Sequence, residues 1–197
     1  MMVRWVNDGD TIVLKGGMRV RYLGIDTPEI DHEKGTAEPF GYQARRANLN
    51  MVYKKRVRLE FDTERYDRYG RNLAYVFMRD GTFVNRSMIE SGYAYFIIRG
   101  KNTKYKDVLL AAQRKAMTAG KGIWRQLHGK KGRDGSRKDT PDGVVGNRRS
   151  MRFHSVTCRY GRRISGKNRI IYSGMREAFW AGFAPCKICM KLWFAGG

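Results

Sequence analysis

The chain is poor in long apolar runs, in cysteine and in acid. No apolar stretch approaches the roughly 18 residues that a bilayer-spanning helix requires, so no membrane span is expected. The three cysteines, Cys158, Cys186 and Cys189, all lie near the C-terminus. A disulfide scaffold is therefore excluded for the long first part, and a metal site is the better reading of the late group. The third scarcity is of acids: 18 Asp and Glu stand against 40 Lys and Arg, a formal charge of +22. A surplus of that size favours a polyanionic partner, most simply nucleic acid. Met1 to Trp5 run directly into strand-like sequence, without the basic and apolar regions of a secretory signal. A cytoplasmic location is the expectation, with secretion only where a leader has been removed. No internal repeat is present, and 197 residues suffice for one ordinary domain or two small ones.

What the chain does have is a set of acidic turns between strand-like segments. Arg21 to Glu29 reads R-Y-L-G-I-D-T-P-E and joins a strand to an abrupt turn. Pro28 fixes its own backbone angle and turns Thr27 away from the helical region. Asp26, Thr27 and Glu29 are thus held on one extended or turning segment. Upstream, Asn7-Asp8-Gly9-Asp10-Thr11 contains the strong turn signal Asp8-Gly9. Downstream, Asp67-Arg68-Tyr69-Gly70-Arg71 adds guanidiniums. Carboxylates suit a hard cation and arginines suit a phosphate, the two requirements of metal-assisted phosphodiester cleavage. Asp10, Asp26 and the Thr27 carbonyl form an oxygen-only ligand set, which suits Ca2+ or Mg2+ rather than zinc. Asp8 reads as a turn cap.

The ordered motifs D-G-D-T, R-x-x-G-I-D-T-P-E and D-R-Y-G-R-x-L-A-Y, followed by G-K-G-I-W, resemble the staphylococcal nuclease family from about Val3 to Trp124. The resemblance implies a calcium-dependent endonuclease that hydrolyses DNA and RNA with little sequence specificity. It implies 5′-hydroxyl and 3′-phosphate ends. Among the ligand candidates it selects Ca2+. It assigns Glu29 to orient the attacking water, Arg21 and Arg71 to clamp the phosphate by forked hydrogen bonds, and Arg68 and Tyr69 to the substrate side. Glu38 matches an acid that organises the active-site loop. A further substrate-facing tyrosine of the family falls at Ile98 here, with aromatic residues displaced to Tyr93, Tyr95 and Phe96.

Periodicity predicts short strands at Val3–Val6, Thr11–Leu14, Met18–Ile25, Lys55–Asp62, Leu73–Phe77 and Tyr93–Ile98. It predicts helices over Phe40–Tyr53, with Pro39 near the first helical position, over the latter part of Phe83–Ser91, and over Thr103–Thr118. Asp31 to Gly35 is expected as a polar loop. Residue pattern alone supports an α+β fold; the resemblance implies a five-stranded OB-like barrel with three helices over residues 1–124. Residues 125–149 are rich in Gly, Lys, Arg and Asp and read as a basic linker.

Residues 150–197 read as a small zinc-stabilised, nucleic-acid-binding domain. His154-x3-Cys158, followed after 27 residues by Cys186-x2-Cys189, has the spacing of a Cys3His zinc site. Three thiolates and a neutral imidazole around Zn2+ carry one net negative charge, which Arg159, Lys187 or Lys191 is placed to offset. The pattern resembles the metal-binding domain of the bacterial Ada DNA-repair protein, with His154 in place of its first cysteine. Ser173–Gly182 reads as a capped helix. Residues 125–197 carry 17 basic and 4 acidic residues, a greater charge density than the first 124. The expectation is a monomeric nuclease acting on DNA and RNA, with no membrane and no obligate protein partner. The competing readings are a catalytically inactive nucleic-acid-binding module and a scaffolding module. Loss of the motif acids or arginines would favour these, but Asp10, Arg21, Asp26, Glu29 and Arg71 are all present.

Overall fold

A computed structural model describes residues 1–128 and 143–190. The N-terminal part is a mixed α+β unit. Strands β1 (Val3–Val6) and β2 (Thr11–Leu14) flank the Asp8-Gly9 turn, and β3 (Arg19–Tyr22) follows. Gly9 is required by packing: a Cβ there would lie 2.7 Å from the Thr27 Cγ2 and 2.8 Å from the Ala44 Cβ. The acidic turn is thereby pressed against the segment that holds Asp26 and Thr27. Next come β4 (Ile25–Asp26), β5 (Ile30–Asp31), β6 (Thr36–Ala37), helix α1 (Gly41–Val52), β7 (Val57–Glu60), β8 (Asn72–Met78), α2 (Val84–Glu90), β9 (Tyr95–Phe96), α3 (Lys106–Thr118) and the short α4 (Arg125–His128). The main sheet has the order β1-β2-β3-β8-β7, with β3 and β8 parallel and the other pairs antiparallel. Its two edges meet: Met2 bridges Arg56, Met1 N–H donates to the Val57 carbonyl and Val57 N–H to the Met1 carbonyl.

Several local differences from the sequence expectations have physical causes. The expected polar loop, Asp31 to Gly35, is the turn of the β5–β6 hairpin, with Asp31 as its last paired residue before the turn. Helix α1 starts at Gly41, with Phe40 before it in the left-handed region at φ 68°. Pro39 therefore precedes the helix instead of entering it. The preceding chain is held in extended pairing, since Glu38 N–H donates to the Glu29 carbonyl. The Met18–Ile25 segment breaks at Gly24, whose φ is +75° and whose Cβ would meet Leu109 at 2.3 Å. Of Tyr93–Ile98, only β9 pairs, with Ile25 opposite Phe96 and Asp26 opposite Tyr95.

The linker reading fails near its end. Val144–Asn147 is β10, an interior strand of a second sheet ordered β12-β10-β11-β13, where β11 is Arg152–Ser155, β12 Arg169–Tyr172 and β13 Ala184–Pro185. Four residues with a central glycine give little periodic signal. That glycine is structural: a Cβ on Gly146 would lie 2.9 Å from the Tyr172 ring and 3.0 Å from the Phe183 ring. Residues 129–142 of the expected linker, and Lys191, lie outside the described residues. Helices α5 (Arg159–Arg162) and α6 (Met175–Trp180) complete this part. Glu177 accepts the Ser173 N–H and hydroxyl, a capping interaction at the start of α6.

The two parts share a core. Trp124, Tyr95, Ile97, Ala116, Met117 and Ile123 cluster with Val144, Phe153, Ala178, Phe179 and Phe183. Phe179 makes edge contacts with Trp124, Phe153 and Tyr95 at ring separations of 5.0, 5.0 and 5.9 Å. Buried Gln113 on α3 spans the seam, accepting from Phe96 N–H and donating to the Phe179 carbonyl. Phe179→Ala should therefore cost about 3–5 kcal/mol. In denaturant unfolding, the loss should appear in one transition that includes the N-terminal unit. Two separate transitions, with only the second displaced, would show that the parts fold independently.

Candidate active site

The two acidic turns and β3 converge on one cluster. Arg21 sits on β3 with its side chain only 7 % exposed. Its Nη2 lies 2.9 Å from Asp10 Oδ2 and also bonds Asp26 Oδ1, while its Nη1 donates to the Tyr22 and Ile25 carbonyls at 3.0 Å each. Asp10 Oδ2 also accepts from the Thr27 N–H and hydroxyl, both at 3.0 Å. Asp8 accepts the Asp10 N–H at 3.0 Å, the turn-capping role that its position suggests. Asp10, Asp26, Thr27 and Arg21 are thus one buried cluster. Glu29 stands at its rim with a half-exposed side chain, and its N–H donates to Glu38 Oε2 at 2.8 Å. That bond, with the reciprocal Glu38 N–H to Glu29 carbonyl, ties the turn to the chain entering α1.

Two buried carboxylates share one buried guanidinium, and their acidities diverge. Burial pushes the Asp10 carboxyl well up; Arg21 opposes this but Asp8, Asp26 and Glu29 reinforce it. Burial also works against the Asp26 anion, yet Arg21, Lys187 and Arg99 together outweigh it and hold Asp26 well below the usual carboxylate range. The difference lies in partners. Asp26 has Arg99 on Oδ1 at 3.0 Å, and on Oδ2 the Tyr95 hydroxyl at 2.8 Å and Lys187 at 3.4 Å. Burial disfavours the Arg21 cation, but Asp10 and Asp26 keep it charged far above the neutral range.

The D-R-Y-G-R segment forms a separate turn. Asp67 accepts the Tyr69 and Arg71 N–H groups on Oδ1 and the Arg71 Nε on Oδ2 at 2.7 Å. Arg71 is therefore braced by Asp67 and, among the described residues, makes no ion pair with the acidic cluster. It lies immediately before β8, the strand that pairs with β3 through Arg21 and Leu73. Tyr69 is 64 % exposed, with Arg68 and Arg71 near its ring. The expected site for a second substrate tyrosine is not open: Ile98 packs on the core, and Tyr95 and Phe96 are buried. Tyr95 serves Asp26 instead. Sequence reasoning missed Tyr95, Arg99 and Lys187 as site residues. The β9 strand pattern pointed to Tyr95 as a pairing residue, but its β4 partner was not readable locally.

The C-terminal cysteines also converge. His154 lies on β11, Cys158 precedes α5, Cys186 follows β13 and Cys189 lies in the next turn. Parallel pairing of Phe153 with Pro185 brings the first and third of these side by side. One ligand atom from each of the four lies within 4.8 Å of all the others. Burial, with Arg152 nearby, holds the His154 imidazole towards its neutral, ligand-competent form. Burial opposes a Cys158 thiolate, but the Gly161 N–H and further donors bring that thiol down; burial pushes Cys189 up to about 12. The donor set fits Zn2+ in kind and spacing. Lys187 does not offset this cluster as expected: its ammonium reaches Glu29 and Asp26.

Oxygen donors at Asp10, Asp26 and Thr27, with Glu29 beside them, likewise fit a hard divalent cation. Asp26→Asn should lower stability by about 3–5 kcal/mol at pH 7, because Arg21 would lose a buried counter-charge. The sign of the pH dependence follows from the depressed pKa of Asp26. Its contribution is present above the ordinary carboxylate value and fades as pH falls from about 4 towards the lower folded value. Urea unfolding of both proteins should show the gap narrowing below pH 4. A gap that is constant down to pH 3 would contradict the assignment.

The staphylococcal nuclease homologue family model matches residues 19–126. The thermonuclease of Staphylococcus intermedius is 38% identical over 128 residues, covering 64% of this chain and 76% of the relative. That of Staphylococcus hyicus is 36% identical over 122 residues, covering 60% and 72%. Endonuclease YncB of Bacillus subtilis is 38% identical over 122 residues, covering 59% and 57%. The matched region contains β3 with Arg21, the Asp26–Glu29 turn and the D-R-Y-G-R turn, and on these grounds the chain belongs to the staphylococcal nuclease family.

Proposed function

We propose that this chain, a nuclease, hydrolyses DNA and RNA phosphodiesters with little sequence specificity and with Ca2+ held by Asp10, Asp26 and the Thr27 carbonyl. The observation that carries this reading is the buried Asp10–Arg21–Asp26 cluster, with Thr27 bonded into it and Glu29 at its open rim. A bound divalent ion would neutralise phosphate charge at those carboxylates. Arg21 holds Asp10 and Asp26 side by side through its Nη2. Glu29, fixed through its N–H by Glu38, accepts a proton from the attacking water at a carboxylate oxygen. Arg71, aimed by Asp67, stabilises the charge that grows on the phosphoryl oxygens, and Arg21 adds positive charge from beneath while its terminal nitrogens hold Asp10 and Asp26. Arg68 and exposed Tyr69 take the neighbouring nucleotide by charge and stacking. The sheet whose edges meet at Met1 and Val57 supports an OB-like barrel as the scaffold. Attack by the water oxygen breaks the bond from phosphorus to the 5′ oxygen, which takes up a proton from solvent, and the products are 5′-hydroxyl and 3′-phosphate ends.

In the same reading, His154, Cys158, Cys186 and Cys189 hold a structural zinc ion. Exposed Arg159, Arg162, Arg163, Lys167, Arg169 and Arg176 add sequence-independent contacts to phosphate.

End-labelled single-stranded DNA should be cleaved with Ca2+, left intact with EDTA, and cut far more slowly by Glu29→Ala, with 3′-phosphate ends. Arg21→Lys and Arg71→Lys keep the charge but lose the fork, and each should slow cleavage at least about 10-fold. Tight binding without cleavage in Ca2+, Mg2+ and Mn2+ would move the assignment to a binding module.

Elemental analysis should find one zinc per chain, absent when Cys186 and Cys189 are both serine. A metal-free wild-type protein with its C-terminal part folded would reject the zinc assignment.

A further inference from the structure

The C-terminal cysteine hairpin reaches into the nuclease centre. Lys187, between Cys186 and Cys189, places its Nζ 2.6 Å from Glu29 Oε1 and 3.4 Å from Asp26 Oδ2, across 158 and 161 residues of sequence. Three independent contacts hold the hairpin's parent unit there: Gln113 to the Phe179 carbonyl, Arg114 to the Trp180 carbonyl at 3.0 Å, and the packing of Phe179 on Trp124. The Cys186 N–H donates to the Phe153 carbonyl, and the Met190 N–H to the Cys186 carbonyl, so the hairpin backbone is itself braced. A cavity of about 550 Å³ opens over Glu29 and is lined from both parts: Thr27, residues between 29 and 39 and Tyr95 from the first, and Pro185, Lys187 and Met190 from the second.

The partners of Asp26 decide what this cation does. Oδ1 is taken by Arg21, which is buried, and by Arg99. Oδ2 accepts from the Tyr95 hydroxyl and faces Lys187. A divalent cation that uses Asp26 together with the Glu29 side of the site must enter where Lys187 stands. Two cations against the same carboxylate oxygens repel, and the ligand distance of about 2.3–2.6 Å for Ca2+ leaves no room for an ammonium on that edge. Of the groups on Asp26, Lys187 makes the longest contact and has a half-exposed side chain, so it is the one that yields.

We propose that Lys187 is a tethered competitor for the nuclease cation, held on the Asp26–Glu29 edge by the Cys/His hairpin, and that it determines how much divalent metal the enzyme requires. The proposal rests on the calcium reading of Asp10, Asp26 and Thr27. It makes the C-terminal part a component of the nuclease centre in addition to a nucleic-acid-binding surface. Occupancy of the cysteine cluster and affinity of the nuclease centre are thereby linked, because the same four-residue turn carries two metal ligands and the competing ammonium.

The test is calorimetric titration of Ca2+ into the full chain in the absence of nucleic acid. Lys187→Met keeps the stem and removes the charge. It should bind Ca2+ at least about tenfold more tightly, since an adjacent charge shifts a carboxylate's ligand equilibria by one to three decades. Lys187→Arg should stay near wild type. Asp26→Asn should abolish the heat in either background. Replacing both Cys186 and Cys189 by serine leaves Lys187 in the chain but frees its turn, and should reproduce the tighter binding where circular dichroism shows the fold retained. Equal affinity in wild type and Lys187→Met, or weaker binding in the variant, would overturn the proposal while leaving the calcium site standing. No Asp26-dependent binding in any of them would overturn the calcium site and the proposal with it.

Discussion

The buried pairing of Arg21 with Asp10 and Asp26 is the constraint on which this structure depends. A guanidinium removed from water is costly to leave unpaired, and so are two carboxylates. Each is retained because the others are present. The arrangement draws together three segments that are apart in sequence: the turn after β1, the middle of β3 and the strand β4. Backbone groups complete it, through the Tyr22 and Ile25 carbonyls and the Thr27 N–H. A cluster satisfied on so many sides holds its carboxylates in fixed directions. A site that neutralises phosphate charge gains from such preorganisation, because no dipole has to turn during the reaction.

Around that cluster the charges are arranged in a gradient. Asp26 is fully buried among positive groups and is kept ionised, whereas Asp10, whose ion pair among the described residues is with Arg21, is pushed up by burial. Glu29 stands at the rim with its side chain half exposed. Carboxylates of one chemical type thereby acquire different properties from burial and partners alone.

The second part of the chain packs directly on the first. Trp124 ends the first unit and packs edge-on against Phe179 of the second, and Gln113 bonds across the seam. Small domains bury too little apolar surface to be robust alone. The shared core answers that shortage, and the group of His154, Cys158, Cys186 and Cys189 lies in the same small part. The shared core also fixes the direction of the cysteine hairpin, which brings a lysine from near the end of the chain to the carboxylates near its beginning.

Much of this was legible in the residues. The D-G-D-T and R-x-x-G-I-D-T-P-E motifs identified Asp10, Arg21 and Asp26, since turn chemistry and strand alternation are local properties. Helices α2 and α3, and the buried Val84, Met88, Ile89 and Leu109, followed from period and composition. The spacing of His154, Cys158, Cys186 and Cys189 announced their convergence. Strand β10 was hidden because four residues around Gly146 carry almost no pattern, and its second strand partner, β12, and the Phe183 ring against Gly146 are more than 20 residues away. Local sequence thus determined which groups the protein owns and the turns that hold most of them. Only the tertiary structure decided that Tyr95 serves Asp26, that Arg71 is braced by Asp67, and that Lys187 faces Glu29 instead of its own cysteine cluster. The last of these depends on how two sheets pack through α3, and a contact across more than 150 residues leaves no mark in the spacing of either segment.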